Sequence, residues 1–182
     1  MALTDQALIT VAQAKEYLKV SNDDNDNVIE ALIESATRKT EDYCGSRWVS
    51  REIAETHIGE GNLTLYLHRL PISEVASVTI DATAYTGYEQ RLSIGMLYGV
   101  WPNLSEIIVT YTAGYVEDRT TAVANIPDAV IGVMQAVAIW YNNRLGVTSE
   151  NVGGIGSAIY GEDLQLPDSV KSKLSSLRKR II

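Results

Sequence analysis

Residues 126–144 read IPDAVIGVMQAVAIWYNNR, the longest apolar run in the chain. Between Ala129 and Tyr141 only Gln135 is strongly polar, and Gly132 is the one neutral break. Pro127 suits a first helical position, and Asp128 beside it complements the positive end of a helix dipole. Asn142, Asn143 and Arg144 give a polar exit, and Gly146 offers a stop. A helix that is apolar nearly all round either crosses a membrane or is enclosed by protein. This run falls short of the ~20 apolar residues that a bilayer requires. It reads as an enclosed helix, and the rest of the chain must supply the enclosure.

Two helices precede it. Thr10 and Gln13 have capping-box spacing, and Val11, Ala14 and Leu18 form one stripe of a short helix ending near Val20. A second helix runs from about Asn27 to Tyr43, with Ile29, Leu32, Ile33, Ala36, Thr40 and Tyr43 as its buried stripe. Glu34–Arg38 and Arg38–Asp42 are i,i+4 pairs for its wet side, and Gly45 is placed to end it. Cys44 on its last turn reads as a small buried filler, because a nucleophile would need a nearby base. Between the helices lies SNDDNDN, residues 21–27. Asp23, Asn25, Asn27 and Glu34 have calcium-loop spacing. Val28 stands where that loop needs glycine, however, and helix continues through Glu34, so the cluster reads as a linker that caps the next helix.

From Trp48 to Tyr115 the period changes from 3.6 to 2. Leu63, Leu65 and Leu67 alternate with Thr64, Tyr66 and His68. Residues 75–80 and 92–96 are further strand candidates, and residues 107–115, IIVTYTAGY, are the strongest. Turns are expected at residues 59–62, 70–71, 86–87 and 102–103. About five strands joined by short turns imply an antiparallel arrangement. His57 and His68, the only two histidines, both fall here and can pair across strands. With no cysteine or third ligand type beside them they read as strand surface positions, and no metal, cofactor or catalytic set is expected.

After the apolar helix, residues 147–165 are glycine-rich. Gly153-Gly154-Ile155-Gly156 lacks the Gly-Lys-Ser/Thr of a phosphate loop and no strand leads into it, so the segment reads as a mobile loop. The chain closes on a short helix started by Pro167 and Asp168. Val170, Leu174, Leu177 and Ile181 make its apolar stripe, with Lys171, Lys173, Arg178, Lys179 and Arg180 around it. On a glycine tether this helix reads as a docking element that can be removed without loss of the fold.

The totals agree with a folded protein. The 182 residues are 46% hydrophobic and 21% charged, which excludes wholesale disorder. A net charge of −8 argues against a protein that grips DNA through a dominant basic surface. One cysteine allows no internal disulfide, and the N-terminus lacks the features of a secretion signal. The expected class is α+β: a helical module of about four helices with an antiparallel β-rich insertion between the second and third. The divisions are residues 1–47 for the first two helices, 48–119 for the insertion and 120–146 for the apolar helix. Residues 147–165 are the flexible loop and 166–182 the C-terminal helix, all within one domain.

Residues 9–48, 70–80, 107–115 and 126–144, taken in order, resemble the head–tail connector (adaptor, or head-completion) proteins of tailed bacteriophages. Residues 166–180, LPDSVKSKLSSLRKR, are similar to that family's short C-terminal helix. The chain matches the longer type, with a β-rich insertion. The resemblance implies a structural, non-enzymatic virion protein. It further implies a homo-oligomeric ring of about a dozen copies, joined by heterologous contacts. Such a ring sits beneath the portal protein, extends the DNA channel and presents a surface to the next neck or tail protein. Double-stranded DNA passes through without sequence-specific binding, and no membrane is involved. The protein would be made in the bacterial host cytoplasm and reside at the head–tail interface of the virion. The family's C-terminal helix is expected to engage the portal, an expectation carried here by Leu174, Leu177, Arg178 and Arg180. The competing readings are another neck or tail-completion ring, a DNA-packaging factor, and a small enzyme with no recognisable site.

Overall fold

A computed structural model describes residues 3–143, 147–150, 158–160 and 165–178. The N-terminal pair of helices forms as the capping signals dictate. Helix α1 (Val11–Leu18) starts at Thr10, whose hydroxyl accepts from the Gln13 backbone N–H. Gln13 Oε1 in turn accepts from the Thr10 N–H at 2.8 Å, which completes the capping box. Helix α2 (Asp26–Cys44) ends at Gly45, which adopts the left-handed conformation at φ 66, where glycine has no Cβ to clash. Glu34 lies within α2, where its carboxylate accepts from the Thr4 N–H, and Asp23 pairs with Lys15. Asp42 reaches out of the helix to Arg69 at 2.9 Å and to Arg47 at 3.6 Å.

The apolar run of residues 126–144 is helix α4 (Pro127–Asn142), preceded by a single turn, α3 (Ala122–Asn125). Ala129, Val130, Gly132, Val133, Ala136, Val137 and Trp140 are buried. The enclosure comes from helices: α1, α2, α3 and the C-terminal helix α5 (Asp168–Leu174) all pack on α4. The last helix belongs to this core. Leu166, Val170 and Leu174 are buried in it, so removing residues 166–182 opens the core instead of sparing the fold. Gly132 marks the closest approach: a Cβ there would stand 3.1 Å from Leu174 Cδ2. One side of α4 stays partly open, with Ile131 41% exposed. No single helix among the described residues is long and apolar enough to cross a membrane.

The insertion between α2 and α3 is a pair of antiparallel sheets around a second core. Strands β1 (Arg51–Ile58), β3 (Ile72–Ile80), β4 (Thr83–Ala84) and β7 (Glu106–Ala113) form one sheet in the order β1-β7-β3-β4. Strands β2 (Thr64–Tyr66), β5 (Tyr88–Arg91) and β6 (Met96–Gly99) form the other in the order β2-β6-β5. Strand β7 buries every second residue, Ile107, Val109, Tyr111 and Ala113, as strand alternation requires. Leu65, Leu67, Leu97 and Trp101 complete the core. Residues 92–96, expected as a strand, instead carry a 3-10 turn over Leu92–Ile94, closed by Gly95 in the left-handed region. The alternation of Leu92, Ile94 and Met96 mimics strand periodicity there, and the strand starts only at Met96.

Within the glycine-rich segment, β8 (Val147–Glu150) pairs antiparallel with β9 (Ala158–Tyr160). The segment expected as a loop without structure thus contains a strand pair. The other residues from 144 to 164 lie outside the described residues.

Candidate functional site

Three places combine charge, burial or exposed apolar surface in ways the sequence pattern alone does not dictate. The first is the joint between α2 and β1. Glu41 is 1% exposed, an unusual state for a carboxylate. The Trp48 backbone N–H donates to its Oε1 at 2.9 Å. Arg51 donates through Nη1 to Oε1 at 3.1 Å and through Nη2 to Oε2 at 2.6 Å. Arg47 adds a fourth bond at 3.2 Å. The bidentate Arg51 fork and the backbone donor satisfy the buried charge. Trp48 is anchored beside it, its indole N–H donating to Thr40 Oγ1 at 2.9 Å. The helical and β parts are therefore locked at a fixed point of the chain.

The second place is the C-terminal helix, which holds the residues expected to dock. Leu174 is fully buried in the chain's own core and is not on a free face. Leu177 is half-buried against the same core. Arg178 is exposed. Its guanidinium lies 5.1 Å from the centre of the Tyr43 ring, a cation–π contact. Arg180 lies outside the described residues. The outward side of α5 and the following turn carries Lys173 and Arg178. Beneath α5, Cys44 Sγ lies 3.8 Å from the Leu174 carbonyl oxygen, and burial pushes its thiol up to about 12. That places Cys44 as the inert filler expected.

The third place is in the β region. Strand β1 turns Ile53, Glu55 and His57 to the same side, since alternate residues share a face. His57 is only 11% exposed, so it points inward and is not a surface position. His68 follows β2 in the chain and is 59% exposed. The two imidazoles stack, centres 5.2 Å apart and planes 8° from parallel, so they do pair, although His68 stands beyond the end of β2 and not on a strand. Glu55 contacts a nitrogen of each ring. Its Oε1 is 3.1 Å from His57 Nε2 and in close contact with His68 Nδ1. The His68 backbone N–H donates at 3.2 Å to each oxygen. The Tyr111 hydroxyl donates to Oε2 and itself accepts from the Arg69 N–H at 3.3 Å. Burial works to raise the Glu55 carboxyl, but contact with His57 and the bonds from Tyr111 and His68 outweigh it and hold it at about 2, since hydrogen bonds to the charged form favour that form. The Tyr111 hydroxyl is pushed up, by burial first and by Glu55 second. Glu55 and Tyr111 escaped the sequence reading, although Glu55 stands two residues before His57, the spacing that puts two side chains on one strand face.

Apolar side chains also stand exposed around this region. Ile58 is 61%, Val100 64% and Leu104 82% exposed, and Leu63, Val100 and Tyr98 line one shallow concavity with Tyr88. Single exposed apolar residues are ordinary, whereas a group around one concavity marks a candidate contact surface.

Comparison with known proteins covers nearly the whole chain. A family model described as head completion protein matches residues 7–180. No protein of curated function matches. Among solved structures, the chain is similar to a chain in the neck of an empty GTA particle computed with C6 symmetry, with TM-score 0.70 and 15% identity. It is similar, at TM-score 0.69 and 14% identity, to chains in the virion of a native gene transfer agent particle and in the neck of the native GTA particle computed with C12 symmetry. Each likeness spans 100% of this chain and 94% of the other.

Proposed function

Because the chain belongs to the head completion protein family, we propose that it is a structural neck protein of a tailed-phage-type particle, positioned where the DNA-filled head meets the tail. The observation that carries this reading is the span of the family match, which takes in both helices before the insertion, the whole insertion, and helices α3, α4 and α5 after it. The neighbouring folds come from particle necks with cyclic symmetry, which supports assembly into a ring; that ring would sit beneath the portal. A cyclic ring uses heterologous contacts, so each copy offers two different surfaces. The exposed apolar group Leu63, Tyr98 and Val100 and the open side of α4 at Ile131 supply apolar area in separate modules. The ring would extend the DNA channel and present a docking surface to the next neck or tail protein. The net charge of −8 suits a channel along which DNA slides, since each phosphate neutralised would add to binding.

Contact with the portal is assigned to the C-terminal helix and the residues that follow it. Leu177, Arg178 and Arg180 meet the partner, and Leu174 acts from inside as the anchor that holds the helix in place. Mixing purified protein with purified portal and imaging the product tests the whole reading. A symmetric ring bound at one end of the portal is expected. A protein that stays monomeric at every concentration and never joins the portal overturns it. A ring that binds an isolated tail component and ignores the portal would assign the chain to tail completion instead. Arg178→Glu should weaken portal binding without changing the far-UV spectrum, and undiminished binding would remove the C-terminal helix from the interface.

A further inference from the structure

We propose that Glu55, His57 and His68 form a site for a divalent cation of the zinc class, open at one coordination position, that fastens edge strand β1 to the connection between β2 and β3. Each of the three offers a ligand atom, and these atoms all lie within 4.8 Å of one another. Two imidazoles and a carboxylate, with no thiolate, are a donor set that zinc accepts, and its filled d shell tolerates a distorted tetrahedron. Bonds of about 2.0–2.1 Å place tetrahedral ligand atoms about 3.3 Å apart, so His68 Nδ1 must back away from Glu55 Oε1 while the widest pair closes, movements within reach of the exposed His68 ring.

The supports of a metal site are present. His57 Nε2 is buried and has no hydrogen-bond partner, although Glu55 Oε1 lies 3.1 Å away. A buried imidazole nitrogen without a hydrogen bond is costly, and a metal bond satisfies it. The carboxylate is held in orientation from behind by the Tyr111 hydroxyl and by the His68 backbone N–H, as outer-shell partners orient ligands in known sites. The exposure of His68 gives the ion an entry path. Three protein ligands leave a fourth position for water or for a donor from a neighbouring molecule. The site ties together segments far apart in sequence: Glu55 and His57 belong to the edge of one sheet, and His68 follows a strand of the other.

The test uses the full chain after treatment with a chelator. Titration with Zn²⁺ by calorimetry should show one ion per chain at micromolar affinity or tighter. Titration with Co²⁺ should give a visible spectrum of low-coordinate cobalt. Zn²⁺ should raise the thermal midpoint of the wild type. His68→Ala removes an exposed ligand and leaves the core alone, so its fold should persist while affinity falls about tenfold or more. Glu55→Gln keeps the shape of the side chain and should weaken binding similarly. No heat and no cobalt spectrum up to millimolar metal overturns the proposal, as does binding that both variants leave unchanged.

Discussion

The two cores of this protein are built on different terms. The helical core is made of small and aliphatic side chains, with Ala14, Ala36, Ala129, Gly132 and Ala136 at its contacts and Trp48 and Trp140 as its large members. Small residues let helices approach closely, and the last helix closes the assembly by setting Leu174 against Gly132. The β core is wide and aromatic, with Trp101 packed against Tyr85 and Tyr88 and with Tyr111 at its centre. One edge of it, on β1, is lined by Arg51, Glu55 and His57 in place of apolar residues. Its rim leaves Ile58, Val100 and Leu104 in water. The helical module completes most of its burial with a segment brought from the far end of the chain. The β insertion leaves more apolar surface open among the described residues.

If the modules are joined as described, the joint should be the costliest place to damage. Glu41→Gln removes the charge that Arg47 and Arg51 share, leaving Arg51 partly buried without its partner and Arg47 with Asp42 alone. Breaking a buried ion pair on one side costs about 3–5 kcal/mol. Urea denaturation should show a loss near the lower end, because Arg47 and Arg51 keep some contact with water. A variant as stable as the wild type would mean that the two cores are held by packing alone.

Next in size is Leu174→Ala, which leaves a cavity against α4 and should cost about 3 kcal/mol. It has a local readout in Cys44. In the wild type the thiol is pushed up to about 12 by burial and should resist alkylation at mildly alkaline pH. Loosening the last helix should bring the thiol back toward its ordinary value and make it react under native conditions. A Leu174→Ala protein whose Cys44 stays inert would show that α2 and α4 hold the core closed without α5.

What the sequence revealed differs between the modules for a physical reason. The helices announce themselves through local signals: the Thr10–Gln13 box, Gly45 in the left-handed region and Pro127 at the first position of α4. Strand β7 is equally plain, because its inward residues are apolar. Strand β1 is hidden because its inward residues include Arg51, Glu55 and His57, so hydrophobic alternation is missing where the backbone alternation is unbroken. The cluster at Glu55 was hidden with it, since two of its members sit on that strand and His68 arrives through pairing between distant segments. The enclosure of α4 by α5 depends on Leu174 meeting Gly132, a match between positions far apart that no local pattern contains.

A smaller effect separates local from tertiary sources of helix stability. Thr10→Ala removes one half of the capping box of α1 and should cost about 1 kcal/mol. A loss of that size in thermal or urea unfolding fits a helix that is short and depends on its cap. No loss would mean that Ala14 and the other α1 contacts with the core hold the helix without it.

The smallest expected effect on stability is the most informative about assembly. Val100→Ser replaces an apolar side chain that is 64% exposed. Folding stability should therefore change by no more than about 0.5 kcal/mol, the usual bound for a surface substitution. If Val100 and its neighbours around the concavity face another copy, the same change should shift self-association measured by sedimentation toward the monomer. Leu174→Ala should do the reverse, weakening the fold while leaving this surface intact. The pair of variants therefore divides burial that folding completes from burial that assembly completes. A Val100→Ser protein that unfolds early and still assembles normally would place Val100 in the β core and remove the insertion's rim from the ring contact.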